Sequence, residues 1–556
     1  MVLRTTTFFR AGLRLLPIFS RAFHFAFRFV LSPFSMIRIS EFTSQAAASE
    51  SLHRTRNYDI RMRMGLSDES IARLFSALFL CVSLLVAFLT KSTYDNGDSI
   101  LHFLYSEYVP QHPENLLDAW AKPVFTLLSA LPSQAGFMGM KFYQCVVAAV
   151  SARLAYVVAR QLRLPWPALA ILFCYAAPDY FRIQFSGLTE PTFGLVLVAG
   201  VALAVTGRPG WSAVVISLLP FVRSEGSLML GIWLVYLVWN RSWRALPWLF
   251  FGYVTYSLVG GLVLGDFAWI FTHSPYSLHS QYGHGEWGRF AESVPSWLGW
   301  PLTMLTVLGG VFVLRRLVIW HQWSLPLFRA ELILIFGTIV AFIFMQSAFW
   351  ALGLFGSFGM TRVLTVLTPL CAVASLSGLA WLSQTGRSPA TRRLILAAGM
   401  VVVAGMVFSN DHVILTKSGA AVGTRGNLHW RRDFQKCTDL ILADRGAAWL
   451  KRYDPGYGWH PITCSQFYYA IPLKLDIFDP VARPWLTKDW VLYLDGIPLH
   501  TYLIWDSWFS VTEAKLTFDM LQKDQRFRQL WKGNIPQDLA NPAGSQFEAA
   551  IFERVR

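Results

Sequence analysis

The stretch Cys81-Val82-Ser83-Leu84-Leu85-Val86-Ala87-Phe88-Leu89-Thr90-Lys91-Ser92-Thr93-Tyr94-Asp95-Asn96-Gly97-Asp98-Ser99-Ile100-Leu101-His102-Phe103 carries the first clue to the fold. Its first part closes an apolar run over 71–90, close to the roughly 20 residues a helix needs to cross a bilayer core. Its second part puts two carboxylates directly behind that run, Asp95 and Asp98, with His102 one helical turn beyond Asp98. If 98–108 is a helix along the membrane surface, Asp98 and His102 share a face of it. Glu107 and the segment Trp120-Ala121-Lys122-Pro123 follow closely.

Further runs of the same kind recur downstream. They cover about 137–158, 165–181, 190–206, 211–222, 226–240, 247–265, 299–314, 331–350, 363–382 and 392–408, which with 71–90 gives about eleven membrane segments. The runs 211–222 and 226–240 are short and read as two half-crossings joined at Arg223-Ser224-Glu225-Gly226. The composition agrees. Of 556 residues, 54% are hydrophobic and only 15% charged, against about 25% charged in soluble domains. Mean hydropathy is +0.42. The 43 Phe and 23 Trp suit a chain with broad membrane–water boundaries.

A net charge of +15 invites a nucleic-acid partner, but the distribution of the charge argues against one. Arg160, Arg163, Arg208, Arg241, Arg244, Arg315, Arg316, Arg329, Arg387, Arg392 and Arg393 lie in one alternate set of short loops. Asp95, Asp98, Glu107, Glu114, Asp118, Asp179, Glu190, Asp266, Glu286 and Glu292 lie in the other. The positive-inside rule makes the basic set cytoplasmic, so the acidic loops and the tail face outward. The expected location is the bacterial inner membrane, with the endoplasmic reticulum as the alternative.

Three regions follow: 1–65, 66–408 and 409–556. The first forty residues hold six Arg and no Asp or Glu, as in an amphipathic surface segment or targeting peptide; a true start at Met62 or Met64 is the plainer alternative. Region 409–556 is more polar and reads as a small extracytoplasmic α/β domain. Ser510-Val511-Thr512-Glu513 has capping-box spacing ahead of a helix to about Leu521, and 490–494 and 547–552 read as strands. Cys81, Cys145, Cys174 and Cys371 read as buried thiols. Cys437 and Cys464 would be able to pair in an oxidising compartment.

The acidic loops also carry candidate chemistry. A carboxylate within reach of an acceptor hydroxyl can take its proton, and cationic donors can receive the charge of a departing phosphate. Asp98 and Asp95 are the candidate bases, although Asp at a helix start also reads as a cap. Glu190, in Ser186-Gly187-Leu188-Thr189-Glu190-Pro191, opens an apolar run, where an ionisable group is costly and faces a partner or cavity, or else interacts with the helix dipole. Arg223 is the preferred phosphate partner because its guanidinium is a fork of donors; an ion pair with Glu225 or Glu190 is the compatible structural role. Arg362, after Gly359-Met360, is a second phosphate candidate or an interfacial anchor. His284 and Glu286 lie in Tyr282-Gly283-His284-Gly285-Glu286-Trp287 of the loop 266–298, which also holds His273 and His279. No zinc spacing is present, so a substrate loop is expected there and no metal.

On these features the chain resembles the GT-C superfamily of membrane glycosyltransferases, which includes protein O-mannosyltransferases, lipid A aminoarabinose transferases and glycosylphosphatidylinositol mannosyltransferases. The resemblance lies in the multi-span domain over about 70–408, the acidic first loop with Asp95 and Asp98, the stretch Trp120-Ala121-Lys122-Pro123-Val124-Phe125, and Arg223-Ser224-Glu225-Gly226, which looks like an Arg-x-Glu-Gly element. The first loop has Asn-Gly-Asp-Ser where the mannosyltransferases have His-Pro-Asp-Glu, and it lacks the adjacent Asp-Glu of the protein O-mannosyltransferases. The resemblance implies transfer of a sugar, mannose or another hexose or pentose, from a polyprenyl- or dolichyl-phosphate donor to a lipid, glycan or protein acceptor at the extracytoplasmic face, with inversion. It implies Asp98 or Asp95 as base, and Arg223, Arg362, Lys122 or His102 on the donor phosphate. Some members use a divalent metal; none is required here. A transporter or lipid flippase, a polysaccharide polymerase or ligase, and a non-catalytic scaffold are the competing readings.

Overall fold

Leu74, Leu78, Leu85 and Phe88 are exposed on the first long helix, α1 (Asp68–Leu89). In a water-soluble protein that would be costly; against lipid it is the expected face. The structure is a computed structural model of the chain. It describes residues 67–89, 93, 98–280, 282–319, 322–386, 388–406, 476–479, 494–497, 499–500, 502–507, 509–512, 515–535 and 547–556. The basic extension 1–65, Asp95, Cys437, Cys464 and most of the expected strand 490–494 lie outside these.

Seven helical segments among the described residues are long and apolar enough to cross a bilayer: Asp68–Leu89, Gly136–Gln161, Trp243–Val263, Trp300–Val318, Pro326–Ala351, Thr361–Gln384 and Pro389–Met406. Four shorter apolar helices accompany them, Pro123–Ser133, Glu190–Val205, Pro209–Phe221 and Gly226–Trp239. The chain is an integral membrane protein of helical architecture. We label the helices used below α2 (Asp98–Glu107), α3 (Pro123–Ser133), α4 (Gly136–Gln161), α5 (Leu169–Ala176), α6 (Pro178–Ile183), α7 (Glu190–Val205), α8 (Pro209–Ile216), α9 (Gly226–Trp239), α10 (Phe251–Val263), α11 (Trp300–Val318), α12 (Thr338–Ala351), α13 (Thr368–Gln384) and α14 (Pro389–Met406).

The core is the set of helices buried on all sides. α13 and α7 are almost wholly buried. α13 packs on α11, where Gly309 and Gly378 let the two backbones approach closely, as small residues do between membrane helices. α7 packs on α4 and α8. The expected single run over 165–181 is instead two pieces, α5 and α6. The break falls at Ala177, whose extended backbone (ψ 119°) precedes Pro178, because a residue before proline is pushed out of the helical region. The helix α3 was not among the expected runs; Pro123 begins it and Pro132 sits in its last turn. Cys145, Cys174 and Cys371 are buried as expected, whereas Cys81 is exposed on α1.

A charged cluster marks the far end of α1. Glu69 accepts from Tyr156 Oη (3.0 Å) and pairs with Arg153 and Arg160 of α4. Its 22 residues put this cluster about 33 Å from the other end of the helix at 1.5 Å per residue.

Among its described residues, the C-terminal part holds a three-stranded antiparallel sheet. Its strands are β1 (Tyr502–Asp506), β2 (Phe527–Ile535) and β3 (Phe547–Arg554), in the order β1-β3-β2. Leu503, Trp505, Leu521, Phe527, Ala550 and Phe552 form its core with Leu516. The expected strand 547–552 is β3. The expected helix from a Ser510 cap to Leu521 is not continuous. The turn Phe509–Thr512 ends, Lys515 adopts φ +55°, and α15 (Phe518–Lys523) starts at a Thr517 cap whose hydroxyl accepts from Met520 N. The chain leaves the helix because Leu516 is drawn into the sheet core, where its carbonyl accepts from Trp505 Nε1 at 2.9 Å. Leu494, expected in a strand, begins the 3₁₀ turn Leu494–Gly496.

Candidate functional site

The first loop returns to the membrane domain as α2, and α2 is locked in place by a close backbone approach. Gly187 N donates to Ser99 Oγ at 2.6 Å, and Ser99 Oγ meets Thr93 Oγ1 at 2.6 Å. A Cβ on Gly187 would lie 2.2 Å from the Ser99 carbonyl oxygen, so only glycine fits. This contact sets the start of α2, with Asp98, beside the segment that leads into Glu190.

Four loops then bring their charges together. Asp98 Oδ2 pairs directly with Arg362 Nη2. Arg362 Nε lies 3.4 Å from Glu190 Oε1, and the same oxygen lies 3.1 Å from Arg223 Nη1. Arg223 also donates to Thr189 Oγ1 and Glu225 Oε1, each at 2.9 Å. Gln346 Nε2 of α12 adds a 3.2 Å bond to Glu225 Oε1. The turn holding Arg223 is tight: a Cβ on Gly226 would meet the Leu219 backbone at 2.3 Å, which is why glycine opens α9.

Exposure separates the roles available to these groups. Glu190 is fully buried, and Arg362, Arg223 and Glu225 keep only 11–17% of their side chains open. Asp98 keeps 43%, so it is the carboxylate in this network that a molecule arriving from outside can reach. A buried charge is tolerated only when paired, and Glu190 between two arginines meets that condition. Arg362 is therefore part of the network and not a surface anchor.

Lys122 stands beside this network. Asp118 Oδ1 accepts from the backbone N–H of Trp120 (2.8 Å) and Ala121 (2.7 Å), and this turn carries Lys122 into φ +72°. Its Nζ donates to Ser224 Oγ at 2.9 Å and to Ala119 O at 2.8 Å, and sits 4.7 Å above the Tyr276 ring. Lys122, Ser224, Ser274 and Tyr276 line a pocket of ≈ 50 Å³ with Phe221 and Trp269. That holds a few waters; a sugar phosphate would have to push the 269–276 wall aside.

His102 is packed, not offered. It stacks on Trp120 (ring centroids 4.5 Å) and meets Phe125 edge-on (5.4 Å). Burial pushes its imidazole down to about 3, opposed by Glu190 and assisted by Arg223, Lys122 and Arg362. Glu107, at the other end of α2, is pushed up to about 6 by burial.

Of the residues expected from sequence, Asp98, Glu190, Arg223, Glu225 and Arg362 form one connected network, with Lys122 and His102 against it. His284 is exposed and has no hydrogen bond or ion pair with the network among the described residues. Its loop pairs instead with 350–359: Ser280 N donates to Gly353 O (2.8 Å), Gly285 N to Trp350 O (3.2 Å) and Arg289 Nε to Gly359 O (2.6 Å). Gln346 and Tyr276 were not anticipated; a lone glutamine in the apolar run 331–350 was the available signal for the first. Among the described residues, no group of three or more His, Cys, Asp or Glu side chains is placed to hold a metal ion.

No family model and no curated protein matches the sequence. The fold, however, is a known one. The crystal structure of ArnT from Cupriavidus metallidurans bound to undecaprenyl phosphate aligns over 86% of this chain and 97% of its own, with a TM-score of 0.54 and 12% identity. The same protein in the apo state aligns over 87% and 99%, with a TM-score of 0.51 and 14% identity. ArnT is an aminoarabinose transferase with the GT-C fold, so this chain has the fold that its acidic first loop and membrane runs led us to expect.

Proposed function

We propose that this protein is a membrane glycosyltransferase that moves a sugar from a polyprenyl-phosphate donor to an acceptor hydroxyl at the extracytoplasmic face. The observation that carries the proposal is the convergence of three cations, Lys122, Arg223 and Arg362, with one accessible carboxylate, Asp98, at one end of a GT-C fold. ArnT, which has the same fold, has been crystallised with undecaprenyl phosphate.

In this mechanism Asp98 takes the proton of the acceptor hydroxyl as that oxygen bonds to the anomeric carbon. The bond from that carbon to the phosphate oxygen breaks, and its electron pair leaves with the phosphate. Lys122, Arg223 and Arg362 receive the added charge. Attack opposite the leaving group inverts the anomeric centre. Glu190 and Glu225 act through the arginines, holding their guanidiniums in place. The pocket lies on the acidic-loop side, which the positive-inside rule turns outward, and the same rule is our reason for assigning the C-terminal sheet to that face.

The test is transfer in proteoliposomes from a panel of polyprenyl-phosphate sugars, for the unaltered protein and for Asp98→Asn, Asp95→Asn and Lys122→Ala. Asp98→Asn should lower kcat by about 10²–10⁴-fold, the range of a lost general base, and Lys122→Ala should both raise donor KM and lower kcat, since the lysine binds the phosphate and takes up its added charge. Absence of transfer from every donor, or full activity in both aspartate variants, would overturn the proposal.

A further inference from the structure

The segment 476–479 is bound to the first loop by contacts that lead, residue by residue, to Lys122. Asp476 grips in two directions. Its Oδ2 lies 2.8 Å from His112 Nε2, and its Oδ1 accepts from Phe478 N at 2.9 Å, which fixes the turn of the segment itself. Ile477 is buried. The Phe478 ring enters a cage of Tyr105 (centroids 4.6 Å), Tyr108 (5.9 Å) and His112 (5.8 Å).

Tyr105 is the link inward. Buried on α2, it donates from its hydroxyl to Asp118 Oδ2 at 3.3 Å, and its ring lies 5.9 Å from Trp120. Asp118 and Trp120 belong to the turn that puts Lys122 at positive φ and over Tyr276. Such a backbone conformation is strained for a non-glycine residue and persists only when its surroundings enforce it. Phe478 packs against one of the groups that enforce it.

We propose that Asp476–Asp479 is a positioning strap: by docking on Tyr105 through Phe478 and on His112 through Asp476, this C-terminal segment holds the Lys122 ammonium at the point where the donor phosphate binds. The proposal rests on the function proposed above. Phe478 touches no reacting atom, and its effect runs through Tyr105, Asp118 and Lys122.

The experiment measures undecaprenyl phosphate binding to the full chain in detergent–lipid micelles, for the unaltered protein, Phe478→Ala, Phe478→Tyr, Lys122→Ala and the double variant Phe478→Ala/Lys122→Ala. Phe478→Ala should weaken binding roughly tenfold, since small displacements of a positioning group are costly. Phe478→Tyr should restore it. The double variant should bind no more weakly than Lys122→Ala alone, because the strap acts through the lysine; a general loss of structure would add to the lysine defect. Unchanged binding in Phe478→Ala, or additive losses in the double variant, overturns the strap. If the unaltered protein does not bind the lipid phosphate, the function proposed above falls and the strap's role at that site falls with it. A photoreactive benzoyl-phenylalanine at 478 separates the cases: cross-links to Tyr105, Tyr108 or His112 are expected whether or not the lipid binds, and their absence overturns the docking itself.

Discussion

Consider replacing Arg223 by Met. Arg223 Nη1 lies 3.1 Å from Glu190, its Nη2 2.9 Å from Glu225, and it donates to Thr189. Among the described residues, the change leaves the fully buried Glu190 with Arg362 at 3.4 Å as its remaining ion-pair partner, and leaves Glu225 with the Gln346 amide as its remaining side-chain hydrogen bond. Breaking a buried pair from one side costs about 3–5 kcal/mol. Because both carboxylates keep one partner, the lower end, about 3 kcal/mol, is expected for Arg223→Met. Glu190→Gln is milder: Arg223 keeps Glu225 and Thr189, and Arg362 keeps Asp98, so roughly 1–3 kcal/mol is expected. The double variant is decisive. With Gln at 190, Arg223→Met strands one carboxylate fewer, so the combined loss should be smaller than the sum of the two single losses. Unfolding in detergent micelles, followed by tryptophan fluorescence against denaturant, gives all three values. Strict additivity, or a larger loss for Glu190→Gln than for Arg223→Met, would refute the view that Glu190 is held by the two arginines.

Three further predictions follow from the same geometry. Gly187→Ala drives a Cβ to 2.2 Å from the Ser99 carbonyl oxygen; a stability loss of about 1–3 kcal/mol is expected from the overpacking, with a fall in transfer because Asp98 shifts with α2, and a fully active, fully stable variant would refute the close approach. His102 titrates near 6.5 when unfolded and is pushed down to about 3 by burial when folded. Its lowered value favours the neutral ring, so the stability it contributes is complete above about pH 6.5 and is lost as pH falls through the window towards 3; His102→Phe should flatten stability against pH there, and an unchanged slope would contradict the buried ring. Transfer should persist in EDTA, because in the proposed mechanism Lys122, Arg223 and Arg362 take up the phosphate charge; loss of activity restored by a divalent ion would assign that charge to a metal instead.

The order and nature of most segments were set by the sequence alone. Apolar runs of membrane length recur from α1 to α14, and the alternation of basic and acidic loops is a local property that needs no knowledge of packing. The acidic first loop with Asp98 and the Arg223–Glu225 turn were visible for the same reason. Local signals also misled where a distant contact prevailed. The Ser510 capping pattern was overridden because burying Leu516 in the sheet pulled the chain out of the helix. The run over 165–181 reads as one span by hydropathy, although Pro178 divides it.

Only the tertiary structure decided which charges meet. Asp98 and Arg362 are 264 residues apart in the chain, and Glu225 and Gln346 are 121 apart. Nothing in the spacing of either pair selects the partner. Helix packing does so, because a carboxylate carried into a low-dielectric interior must find a cation or donor there, and the arrangement of α7, α9, α12 and the loop at Arg362 determines which one is within reach. The place of Lys122 over Tyr276 and of Phe478 against Tyr105 has the same origin: side chains at these positions are common in any sequence, and long-range packing alone makes them neighbours.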